Sequence, residues 1–183
     1  FLEPRIQPAK LRETPEALGK FAYRELKWDV GKGFPDVWLT SLAYAPVQPG
    51  DRAINAALRL DPAKREGDAD YVSCYQGSLG SLGNDGDFGF GYAPRAATSA
   101  FLTVTVNAEG FCGGAHPYAD YWWQTFDRKT GRKVDLATWL TPAASPRAEG
   151  FEDATIRPLS PAFKRLLLRR LRFEDAECRT VVS

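Results

Sequence analysis

Phe101-Leu102-Thr103-Val104-Thr105-Val106-Asn107, Cys112-Gly113-Gly114-Ala115-His116-Pro117 and Tyr118-Ala119-Asp120-Tyr121-Trp122-Trp123-Gln124-Thr125-Phe126-Asp127 decide the fold. The first run alternates apolar and polar residues, the period of a half-buried strand. Gly113-Gly114 supplies two residues that take positive φ without strain, so the chain turns there. The third run is a second strand, rich in aromatics, closed by a turn at Lys129-Thr130-Gly131. The pair 98–108 and 118–127 is the expected sheet centre. Val134 to Leu140 reads as a short helical start.

Upstream, Phe21 to Val30 alternates as well. It reads as a strand with Phe21, Tyr23 and Glu25 on one face and Ala22, Leu26, Trp28 and Val30 on the other. Val37 to Tyr44 is a second extended run. Asp51 stands as the N-cap of a short amphipathic helix over 52–60, with Ile54, Ala57 and Leu58 on one face. Tyr71 to Gln76 reads as a short strand and 77–86 as a glycine-rich loop. Phe88 to Tyr92 reads as an edge strand weakened by its glycines, with Pro94 ending it. After a Pro- and Ala-rich connection over 141–161, Ser160-Pro161 places a serine N-cap and a proline at the first helical position of a C-terminal helix. The expected fold is α+β: a mainly antiparallel sheet with a few helices packed on one face. Residues 1–20 are read as an extended N-terminal segment and 21–183 as a single domain.

The composition bounds function. Of 183 residues, 44% are hydrophobic, enough for a real core, and the net charge of +1 offers no global attraction to nucleic acid or anionic lipid. No apolar run approaches the ~20 residues of a membrane-spanning helix. The chain starts at Phe1 and has no Met, as expected of a processed or trimmed product; a removed leader is one such origin and a boundary chosen for expression another. The three cysteines, Cys74, Cys112 and Cys178, lack metal-ligand spacing, and with one histidine they predict no zinc site. In an oxidising compartment two of them pair. Cys74 and Cys112 both fall in the predicted sheet region and are the favoured disulfide; three free buried thiols are the alternative. Cys178 then calls for a partner beyond Ser183, so the domain is read as open to truncation at its C-terminus.

Each candidate site has a plainer reading. His116 could serve as a base, but no nucleophile, second histidine or paired carboxylates accompany it. Its better reading is structural: Gly113, Gly114 and His116 form a turn, with the ring bonded to backbone, and Gly131 forms another. Asn84, Asp85 and Asp87 offer oxygen ligands without a full calcium-loop pattern, and read better as a solvated turn. The basic run Lys164, Arg165, Arg169, Arg170 and Arg172 reads better as a solvated helix face than as a lipid contact. Tyr118 and Trp122 share one strand parity, Tyr121 and Trp123 the other. All four are the candidate ligand-binding residues: one face of the strand packs against helices and the other, if exposed, binds the ligand, while a sheet covered on both faces is the plainer reading.

These residues also carry a resemblance. The Arg52-to-Leu58 helix, Gly113-Gly114-Ala115-His116, and Phe126-Asp127 with Thr130-Gly131-Arg132 resemble the secreted bacterial domain of unknown function found in lysozyme-sensing anti-sigma factors and beside peptidoglycan deacetylase domains. The resemblance covers roughly 21–173, with Arg132 where the family usually has Lys. It implies a periplasmic or secreted α+β domain near the cell wall. On it rests the preferred function: a non-catalytic binding or sensing module for a lysozyme-like hydrolase or a peptidoglycan fragment, without cofactor or metal. The alternatives are an immunity protein that inhibits a wall-degrading toxin, and a cell-wall hydrolase using His116 with a nearby Asp such as Asp120 or Asp127.

Overall fold

One sheet holds seven strands in chain order: β1 (Lys10–Leu18), β2 (Phe21–Asp29), β3 (Asp36–Ala43), β4 (Asp87–Ala97), β5 (Phe101–Phe111), β6 (Tyr118–Asp127) and β7 (Lys133–Val134). Among the described residues the helices with defined bounds are α1 (Asp51–Ala57) and α2 (Pro161–Arg170), with a 3-10 turn at Leu136–Trp139. This computed structural model describes residues 10–29, 36–62, 73–74, 77, 87–144 and 159–170. The fold is α+β, as its residue patterns predict. Neighbouring strands are antiparallel except β3 and β4, which run parallel. A parallel step needs a long crossover, and the chain between β3 and β4, α1 included, supplies it.

Contacts divide the chain into two units, 1–134 and 135–183. In the first, the alternation of β5 decides which way side chains point. Leu102, Val104 and Val106 are buried, while Thr103, Thr105 and Asn107 remain partly exposed. Partners across an antiparallel ladder share a face. Leu102 pairs with Phe126 and Val106 with Trp122, so these four point inward. Thr105 pairs with Trp123 and Asn107 with Tyr121, so these point outward. Two core clusters result. Leu39, Leu60, Cys74, Phe88, Phe90 and Val106 form one; Leu42, Tyr44, Ile54, Leu58, Leu102, Val104 and Phe126 form the other, and Tyr92 borders both. Ile54 and Leu58 anchor α1 with no exposed surface, a contribution of about 1.5–3 kcal/mol each.

Several expectations need correction. From Lys10 onward the N-terminal segment is a full strand, paired with β2 along its length through a turn at Gly19-Lys20, where Gly19 has φ of 59°. Its polar, exposed residues hid it, and its edge position tolerates Pro15. Ser73 and Cys74 are helical, not extended. Phe88 to Tyr92 belongs to a central strand between β3 and β5, and that strand runs on through Pro94 to a register shift between Pro94 and Ala96. Its β3 partner stops opposite Gly91, so Pro94 lies where β4 has β5 alone for a neighbour. β5 starts at Phe101, not 98: Thr98 Oγ1 accepts from the backbone N–H of Ala100 and Phe101 and holds the reversal.

In the second unit, Ser160 Oγ accepts the Phe163 N–H at 3.2 Å with Pro161 opening α2, the expected cap. Leu166 on that helix is half exposed. Cys178, Asn84 and Asp85 lie outside the described residues.

Candidate functional site

The aromatics of β6 divide by face. Trp122 is partly buried, its ring centroid 6.3 Å from that of Phe90. Tyr118, of the same parity, is also partly buried; burial raises its phenol above the ordinary 10, and the charges of Asp87 and Asp120 add to the rise. Tyr121 and Trp123 point the other way and are 59% and 68% exposed. Tyr121 donates its hydroxyl proton to Glu109 Oε2 at 3.3 Å, and the Glu109 charge raises its pKa. Of the proposed binding residues, Tyr121 and Trp123 face outward, Trp122 packs against the core and Tyr118 is partly buried.

The outward face carries a groove beside these rings, which the sequence analysis did not identify. Its floor is β4, where Gly89 and Gly91 bear no side chain. Trp38 lies over Gly89, and a Cβ on Gly91 would fall 2.9 Å from the Thr40 Cβ. The glycines let Trp38 and Thr40 of β3 lie close over β4, since a side chain at either position would collide with them, and the groove opens beside that contact. Trp38 and Thr40 from β3, Glu25 from β2, and Asn107 and Glu109 from β5 line it, and its volume is about 190 Å³. The sequence signal was present in Phe88-Gly89-Phe90-Gly91-Tyr92, where alternate residues carry no side chain.

The turn before β6 has the expected backbone. Gly113 and Gly114 take φ of 89° and 102°. His116 is exposed, and its ring meets no hydrogen-bond partner among the described residues, contrary to the expected backbone contact. Cys74 and Cys112 form a disulfide, tying the crossover to the end of β5 and not strand to strand. Asp127 closes the far end of the ten-residue β6, about 30 Å from the His116 end, and cannot serve a common site. Asp120 makes no hydrogen bond or ion pair with His116. No group of three or more His, Cys, Asp or Glu among the described residues could hold a metal ion, and no helix there is long and apolar enough to cross a membrane.

The motif Phe126-Asp127-Arg128-Lys129-Thr130-Gly131 builds a joint. Phe126 is core. Asp127 Oδ1 accepts from the backbone N–H of Lys129 and Thr130. Gly131 has φ of 76°, and a Cβ there would sit 2.7 Å from the Ala53 Cβ and 2.9 Å from the Gly50 carbonyl. Only glycine lets this turn dock on the start of α1. Arg128 then grips fully buried Asp51: Nε donates to Oδ1 at 2.9 Å and Nη2 to Oδ2 at 2.8 Å, while Nη1 reaches the Thr98 carbonyl at 2.7 Å. The guanidinium lies 5.8 Å from the Phe21 ring centroid and 5.6 Å from that of Tyr44, cation–π range.

Asp51 is therefore the first residue of α1 and not its N-cap, a place that Gly50 takes. Its carboxylate accepts further bonds from the Val47 and Gln48 N–H and from the Tyr44 hydroxyl. Burial alone would raise its pKa, but the hydrogen bonds from Arg128, Gln48 and Val47 outweigh that and hold it at about 2. The same bond to Asp51 raises the Arg128 pKa, and burial together with Asp51 pushes the Tyr44 phenol up. Both acid and base are saturated and enclosed, which suits them to stability and not to turnover.

No family model matches the chain, and no curated protein matches it. Among solved structures, a DUF3298 family protein from Pseudomonas aeruginosa PAO1 is similar, with a TM-score of 0.42 and 16% sequence identity over 75% of this chain. The chain spans 59% of the length of that protein.

Proposed function

We propose that this chain is a non-catalytic recognition module acting outside the cytoplasm, and that the outward face of β3–β6 binds a lysozyme-like wall hydrolase or a peptidoglycan fragment. The observation that carries this reading is the pair Tyr121 and Trp123, 59% and 68% exposed at alternate positions of one strand beside the groove. Large aromatics in water are the usual anchors of a binding surface, and they stack on sugar rings as readily as on protein. The resemblance of Gly113–His116 and Phe126–Gly131 to the secreted wall-associated domain supports the ligand class. The Cys74–Cys112 disulfide supports an oxidising compartment.

The test is a binding measurement of the purified protein against lysozyme and against soluble peptidoglycan fragments. It is repeated with Trp123→Ala and with Tyr121→Ala. Binding that falls at least tenfold in either variant, with unchanged folding, supports the face. Binding that both variants keep moves the recognition surface elsewhere. No binding to either ligand overturns the ligand class.

A further inference from the structure

We infer that the groove over Gly89 and Gly91 is a receptor for one basic side chain, an arginine for preference, presented by a protein partner. The inference rests on the recognition face proposed above and names the chemistry of its partner.

Size comes first. A volume of about 190 Å³ equals roughly six waters, and it falls below the ~300–1,000 Å³ of sites that enclose a whole small molecule. One long side chain fills it.

Charge comes second. Glu25 and Glu109 enter from strands on opposite sides of the glycine floor, and the lining contains no basic residue. Among the described residues neither carboxylate has a cationic partner: Glu109 receives only the Tyr121 hydroxyl, and Glu25 makes no ion pair. Lys27, two residues along β2 from Glu25 and opposite Thr40, is exposed and makes no ion pair with it.

Shape comes third. The Trp38 indole, lying over Gly89, is part of the groove surface, and Asn107 also lines it and offers a further acceptor. A planar guanidinium can stack on an indole while donating to carboxylate and amide oxygens at its edge, which a compact ammonium does less well. Tyr121 and Trp123 then cover the surrounding contact and keep water from the pair.

The test uses NMR titration of the whole chain with three probes: N-acetyl-arginine amide, N-acetyl-glutamate amide and tri-N-acetylglucosamine. The expected result is saturable shifts with the arginine probe at the Gly89, Gly91, Asn107 and Trp38 signals, and none with the glutamate probe. Glu109→Gln is expected to weaken the arginine probe by about tenfold or more, the usual worth of a charged hydrogen bond. Glu25→Gln should also weaken it. Both positions are partly exposed, so the fold should survive, and retained dispersion of the amide signals checks this. Shifts at these residues with the sugar alone would overturn the basic-side-chain receptor while leaving the recognition face standing. Silence at the groove with every probe would overturn the receptor, and only the wall-ligand binding measurement then decides the face. Arginine shifts unchanged in both Gln variants would also refute it.

Discussion

Replacing Asp51 with asparagine should cost this protein about 3–5 kcal/mol, the usual penalty for removing one partner of a buried ion pair. The contacts explain the size. Asp51 Oδ2 receives Val47 N, Gln48 N and Arg128 Nη2, while Oδ1 receives Tyr44 OH and Arg128 Nε. An amide nitrogen in either place meets donors, and the Arg128 charge, on a side chain only 9% exposed, loses its counterion. Acid should reproduce part of the loss. The folded carboxyl titrates at about 2 against an ordinary 3.8. Its contribution is therefore fully present above about pH 4 and disappears as pH falls toward 2, about 2 kcal/mol in all. Urea unfolding followed by tryptophan fluorescence, run from pH 7 down to 2, reads both effects. The variant should lose most of the acid-dependent stability along with the stability at neutral pH. A double change, Asp51→Leu with Arg128→Met, should recover part of the deficit, because no charge is then stranded. An Asp51→Asn variant within about 1 kcal/mol of the parent at pH 7 would refute the reasoning, since the pair would then not be energetically closed to water.

Breaking the Cys74–Cys112 disulfide, which closes a separation of 38 residues, should lower stability by about 4 kcal/mol on the chain-entropy account, read as the shift in urea midpoint with and without reductant. Gly131→Ala should cost at least about 2 kcal/mol through its positive φ and its collision with Gly50 and Ala53, measured by thermal unfolding. Trp122→Ala should destabilise by about 2–4 kcal/mol, whereas Trp123→Ala should stay within about 0.5 kcal/mol of the parent while weakening partner binding; equal effects on stability would mean the two faces are misassigned. Trp38→Ala should leave the Gly89 floor open and widen the groove, visible as loss of the arginine-probe shifts while signals of the inward core cluster around Val106 persist.

Much of the local structure was legible in the chain. The alternation of Phe101–Asn107 gave a strand and its two faces, because side chains in a strand alternate whatever surrounds it. Ser160-Pro161 gave the start of α2, and Gly113, Gly114 and Gly131 gave turns that need positive φ. Parity also separated Tyr121 and Trp123 from Tyr118 and Trp122. What parity could not supply was which set meets water, since both are aromatic. The register with β5 settles it: Trp122 lies beside Val106, and Trp123 beside Thr105.

Other features belong to the tertiary structure alone. Phe88-Gly89-Phe90-Gly91 looks weak as an isolated strand, yet it sits at the sheet interior because Trp38 and Thr40 of β3 occupy the space its glycines leave. β1 carries almost no apolar signal and is held by its ladder to β2. Asp51 and Arg128 stand 77 residues apart, and each reads alone as an ordinary helix-start acid and turn base. The sequence by itself determined the periods, caps and turns, because those depend on a residue and its near neighbours. Strand order, the open face, the groove and the buried ion pair were decided by the fold, because each arises where distant segments exclude water together.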